Sequence, residues 1–73
     1  MTRNEMILFI QLNPNVPVAH ISFSEEEYIY MSYDRKVYDE NKYLFEDWNS
    51  RNANGIRIRA GGEWEDDWYI KKG

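Results

Sequence analysis

The sequence has no cysteine and only one histidine, His20. Disulfides and thiolate metal sites are therefore excluded, and so is a multi-histidine zinc centre. Basic charge is in deficit: nine lysines and arginines against thirteen acids leave a formal net charge of −4. Direct nucleic-acid binding and docking on anionic membranes need a basic face, and this balance argues against both. Long hydrophobic runs are missing as well. Met6 to Leu12 is too short to span a bilayer, and no small-residue cleavage site follows it. The expected setting is the cytoplasm, without a membrane partner. Gly55, Gly61 and Gly62 fit neither the P-loop nor the dinucleotide spacing, so no phosphate cradle is expected.

Aromatic residues are abundant instead, with three Trp, six Tyr and three Phe in 73 residues. Residues 1–73 form one domain on this reading. A chain of this size buries only about 60% of its unfolded surface. Its stability must then come from aromatic packing, at roughly 150–250 Å² buried per ring, or from self-association.

The order of local signals predicts an α+β fold, a short N-terminal helix packed on a meander of five to six short antiparallel strands. Thr2-Arg3-Asn4-Glu5 fits a capping box, and Pro14 disfavours helical geometry at Asn13, which bounds a helix at both ends. The same MILFIQL run also has the length and apolar continuity of a buried strand. The prolines and asparagines of Asn13 to Pro17 make a turn. Val18 to Phe23 alternates as an edge strand would, with Val18, His20 and Ser22 on one side and Ala19, Ile21 and Phe23 on the other. Ser24 to Glu27 reads as a turn and Tyr28 to Tyr33 as an aromatic strand. Asp34-Arg35-Lys36 closes it onto Val37-Tyr38. Asp39 to Lys42 is a second turn, with Asn41 suited to positive φ, and Tyr43 to Phe45 is another short strand. Asn49 to Asn54 is a polar loop.

Asn54 to Ile70 carries the strongest β signal and reads as a hairpin. If Ala60-Gly61-Gly62 form its loop, Ile58 faces Trp64 while Arg59 and Arg57 face Glu63 and Glu65. A one-residue slip forfeits all three pairs, each worth roughly 0.2–1 kcal/mol.

The acidic runs Glu25 to Glu27, Glu46-Asp47 and Glu65 to Asp67 lie beside turns, where solvation keeps carboxylates ionised. A hydrolase pair needs two acids at fixed separation. A magnesium site from Asp47, Asp66 and Asp67 is the metal alternative. His20 has no cysteine partner, and no serine sits in a nucleophile elbow. No catalytic residue, cofactor or metal ligand is therefore assigned, and the chain reads as a protein that binds and does not catalyse. Arg57 and Arg59, with Trp48, Trp64, Trp68 and Tyr69, form the candidate ligand site. Guanidinium forks suit phosphate, and rings stack on a base. The competing reading pairs both arginines with Glu63 and Glu65 and puts the Trp rings in the core. Met6, Phe9 and Ile10 are the candidate interface of a homo-oligomer, since the helix is apolar on nearly every side.

The second half, KVYDENKYLFEDW followed by GIRIRAGGEWEDDWYIK, resembles small proteins encoded by bacteriophages and prophages over roughly residues 36–71. The closing DDWYI is similar to the ending of a phage anti-Thoeris family whose members sequester a signalling nucleotide. The glycine-tryptophan segment near the start of that family is absent here. The resemblance implies a phage accessory protein that blunts a host defence system. It would act by holding a small anionic nucleotide-like signal, or by docking on a host protein through an acidic, aromatic-anchored surface.

Overall fold

The computed structural model describes residues 1–45 and 63–72. Within them the chain is α+β. Helix α1 (Arg3–Leu12) is followed by strands β1 (Val18–His20), β2 (Ile29–Met31) and β3 (Val37–Asp39), a 3₁₀ turn (Glu63–Glu65) and β4 (Trp68–Ile70). The sheet is antiparallel in the order β3-β2-β1-β4. Four strands stand among the described residues where five to six were expected. Tyr43 to Phe45 adds only a single bridge, Leu44 to Tyr38, beside β3.

The helix starts and stops where its local chemistry dictates. Thr2 Oγ1 accepts from the Glu5 amide at 3.1 Å, and Glu5 Oε1 accepts from the Thr2 amide at 2.8 Å, so two of the orphan donors of the first turn are satisfied reciprocally. At the other end both the Asn13 amide and its side chain donate to the Phe9 carbonyl at 2.9 Å, and Pro14 follows. The inward stripe is Met6, Ile7 and Ile10, all buried, with Phe9 half-buried beside them. This corrects the expected interface. Met6 and Ile10 are fully buried against the protein's own sheet and are not available to a second copy. The apolar side chains the helix leaves outside are Leu8 and Leu12.

Strand β1 is central, not an edge. It pairs with β2 through Val18–Ile29, and with β4 through Val18–Ile70, Ala19–Tyr69 and His20–Trp68. It is also shorter than the alternation of Val18 to Phe23 suggested. The Ser22 amide donates to His20 Nδ1 at 3.0 Å and the Phe23 amide to the His20 carbonyl at 2.9 Å, which curls the chain over. Ile21 is thereby left exposed. Phe23 turns to the helix side, against His20, Trp64 and Trp68, and away from the face shared by Ala19.

The β2–β3 hairpin forms as its turn chemistry requires. Ser32 and Lys36 close the loop, Arg35 takes φ 71°, and Asp34 Oδ1 accepts from the Lys36 amide at 2.9 Å. In the next turn the left-handed residue is Lys42, at φ 67°, and not Asn41. Asp39 Oδ1 holds that turn by accepting from the Asn41 and Tyr43 amides.

Glu63, Trp64 and Glu65 are not the return arm of a hairpin. They form the 3₁₀ turn, in which the Trp64 carbonyl accepts from the Trp68 indole at 2.8 Å and Glu65 approaches the Arg3 guanidinium at 3.5 Å. Strand β4 then pairs with β1. The expected partners on the other arm, Arg57, Ile58 and Arg59, and the Asn49 to Asn54 loop lie outside the described residues.

The interior holds Met6, Ile7, Ile10, Val18, Ile29, Met31, Val37, Trp64 and Trp68. Its aromatic end is edge-to-face: Trp64 and Trp68 lie 5.9 Å apart at 71°, and Phe23 meets each at 5.8 and 5.7 Å.

Candidate functional site

Side chains alternate across a strand, so the residues between the core positions of this sheet share its other face. Ile29 and Met31 point to α1, which puts Tyr28 and Tyr30 outward. Val37 points inward and Tyr38 outward, and Trp68 inward and Tyr69 outward. Four tyrosines therefore occupy one side of a sheet whose other side carries the helix. No helix or strand among the described residues lies over them. Tyr30 and Tyr38 are direct cross-strand neighbours, stacked at 5.9 Å and 24°, and Tyr28 follows at 6.3 Å from Tyr30. Tyr28, Tyr30 and Tyr38 are half-buried and Tyr69 is exposed, so ring faces and edges remain open to solvent.

Between this ridge and the turn after α1 runs a furrow of about 190 Å³, lined by Asn15, Pro17, Tyr28, Tyr30 and Lys42. Asn15 is placed there by the turn, where it takes φ 66° and donates its amide to the Met31 carbonyl at 2.7 Å. Pro17 accepts at its carbonyl from the Lys71 amide, which extends the β1–β4 ladder by one step.

Burial raises the Tyr30 phenol above its ordinary 10.0, and Tyr28, Asp39 and Asp34 push it the same way. Tyr38 donates to Asp34 Oδ2 at 2.5 Å. That bond is the main cause both of the raised Tyr38 phenol and of the lowered Asp34 carboxyl. Asp34 thus contributes stability that is present above its unfolded value of 3.8 and lost as pH falls through its lower folded value. Tyr38 contributes stability that is present below 10.0 and lost as pH rises through its higher folded value. Urea titrations should accordingly show wild type above Tyr38→Phe between those limits, with the gap closing at both ends. A gap independent of pH would assign the effect to ring packing.

A second hollow lies between Phe23, Phe45 and Trp64 on one side and Glu27, Asp39 and Glu40 on the other. Its carboxylates serve local backbone: Glu27 caps Ser24, Asp39 holds the Asn41 turn, and Glu40 reaches the Tyr28 amide. Among the described residues no three His, Asp or Glu side chains are grouped to hold a metal ion, and Asp47 lies outside them. No described helix is long and apolar enough to cross a membrane.

His20 is inside the protein. Nδ1 accepts from the Ser22 amide, so the ring proton sits on Nε2, which donates to the Asp66 carbonyl at 2.8 Å. The Ser22 hydroxyl adds a 2.8 Å contact at Nδ1. Both nitrogens are engaged in holding structure, so His20 is not placed to act as a base.

The chain matches no protein-family model, no curated protein and no solved structure.

Of the residues expected to bind an anionic ligand, Trp64 and Trp68 are buried core and Tyr69 is on the tyrosine face. Trp48, Arg57 and Arg59 lie outside the described residues. The structure does not bring Trp64, Trp68 and Tyr69 to one surface. Tyr28, Tyr30 and Tyr38, with Asn15, Pro17 and Lys42, were not singled out by sequence. The signal was present in Tyr28-x-Tyr30 and in the Asp34 turn, which sets Tyr38 opposite Tyr30.

Proposed function

We propose that the protein is a non-catalytic binding module that docks on a protein partner through the tyrosine face. In the bacteriophage setting that its second half implies, the partner is a host defence protein whose action the module blocks. The observation supporting this is the row of tyrosines on the side of the sheet opposite α1, beside a furrow. Tyrosine is rigid, amphipathic and a common anchor of interfaces. Sequestration of a nucleotide-like signal is less favoured. Two of the rings assigned to it, Trp64 and Trp68, are interior.

The test is phage plating on hosts that each carry one defence system and express this protein. Wild type should restore plating against at least one system. Tyr30→Ala and Tyr69→Ala, checked for unchanged folding, should abolish that relief. Relief that survives both substitutions would exclude the tyrosine face. Stabilisation by a cyclic nucleotide, about 2.7 kcal/mol at a hundredfold excess over Kd, would favour sequestration instead.

A further inference from the structure

We propose that the furrow lined by Asn15, Pro17, Tyr28, Tyr30 and Lys42 receives a proline-rich segment in polyproline II conformation that carries basic residues beside its prolines. This rests on the protein-docking reading and names the partner's chemistry.

Three observations carry it. The first is shape. The furrow is open and is lined by two tyrosine rings and a proline ring. Tyrosine faces in such a ladder offer flat apolar slots to prolyl rings, and a polyproline II strand has three residues per turn, so its successive faces can occupy adjacent slots.

The second is hydrogen bonding. A polyproline II segment makes no internal hydrogen bonds, and its carbonyls look outward for donors. The Asn15 side-chain amide and the Tyr28 and Tyr30 hydroxyls have no partner among the described residues and border the furrow. The site is therefore rich in donors and lined by rings, which matches a ligand that supplies acceptors and apolar rings. An extended segment adding to a sheet edge would instead use main-chain amides, and prolines lack them.

The third is charge. Asp34 accepts from the hydroxyl of Tyr38, the ring stacked on Tyr30, so a carboxylate stands at that end of the ridge, and the protein carries a net charge of −4. A nucleic-acid strand would also stack on rings, but its phosphates would be repelled. A basic flank is attracted, and it fits best at the Asp34 end, away from Lys42.

The test is an amide-shift titration of the full chain with a synthetic peptide of roughly twelve residues, proline-rich with an arginine at each end. Three controls run beside it: the same peptide with glycine for every proline, the same peptide with glutamate for arginine, and a thymidine oligonucleotide. The proline peptide should move Asn15, Tyr28 and Tyr30 and saturate. Each peptide control should bind at least about tenfold more weakly. Tyr30→Ala should weaken binding by a similar factor. Lys42→Gln, a surface change in a turn, should leave the fold intact and tighten binding modestly by removing a like charge.

Equal binding of the glycine peptide would overturn the polyproline assignment. Equal or better binding of the glutamate peptide or the oligonucleotide would overturn the charge assignment. Absence of any shift in the furrow, while relief of a defence system still depends on Tyr30, would sink this inference and leave the docking function standing. Peptide binding at the furrow with no defence system relieved would do the reverse.

Discussion

Replacing Trp68 with alanine is expected to leave the domain largely unfolded under conditions where the wild type is folded. Trp68 is nearly fully buried, meets His20 at 5.2 Å edge-on, packs against Phe23 and Trp64, and donates its indole proton to the Trp64 carbonyl. Truncating a buried Trp costs about 3–5 kcal/mol, against a total stability of roughly 5–15 kcal/mol for ordinary domains. This chain is small and has no disulfide, which places it toward the low end of that range. With a urea slope of about 1 kcal/mol/M, the midpoint should fall by about 3 M or vanish. Trp68→Phe keeps most of the packing and loses the indole donor, so its loss should be smaller. A change below about 1 kcal/mol in the alanine variant would mean that the core does not depend on this ring.

His20→Leu is expected to be costly as well, for a different reason. Leucine fits the apolar surroundings but leaves the Asp66 carbonyl and the Ser22 amide without their partner. Ser22 and Asp66 are exposed residues that water can reach, so each bond lost costs about 0.5–1.5 kcal/mol. Together they predict a loss of roughly 1–3 kcal/mol, to which displaced contacts with Trp68 and Phe23 add. Glutamine can recover the bond to Asp66, so His20→Gln should be intermediate when the three proteins are compared in urea. Equal stability of the leucine and wild-type proteins would show that the imidazole does not join β1 to the segment before β4.

What was legible in the sequence was what local chemistry decides. The helix from Arg3 to Leu12 is bounded by its own cap and by Pro14, both within a turn of its ends. The turns at Asn13, Ser24, Asp34 and Asp39 follow from residues that hydrogen-bond their own neighbours. Strand order was not legible. Nothing within Val18 to His20 states that it will be paired on both sides, because its second partner is β4, far along the chain. Trp64 misled for a related reason. Alternation with Arg57, Ile58 and Arg59 suggested a hairpin, but the indole is buried beside Phe23 and Phe45, and the 3₁₀ turn lets the next Trp reach β1. For the site, the aromatic signal was read at the tryptophans. Large rings next to a helix go inside, and it was the tyrosines, with a hydroxyl to keep wet, that came to the surface.

The position of β1 between β2 and β4 has a consequence for how the chain reaches this state. The β2–β3 ribbon and α1 involve near neighbours and can form quickly, whereas the His20–Asp66 bond joins residues 46 positions apart. Until Trp68 to Ile70 arrive, β1 presents a bare row of amides and carbonyls, the kind of border that recruits strands from other molecules. Closure of that gap is therefore expected to come late in folding, with β1 open to strands of other molecules in the interval before it.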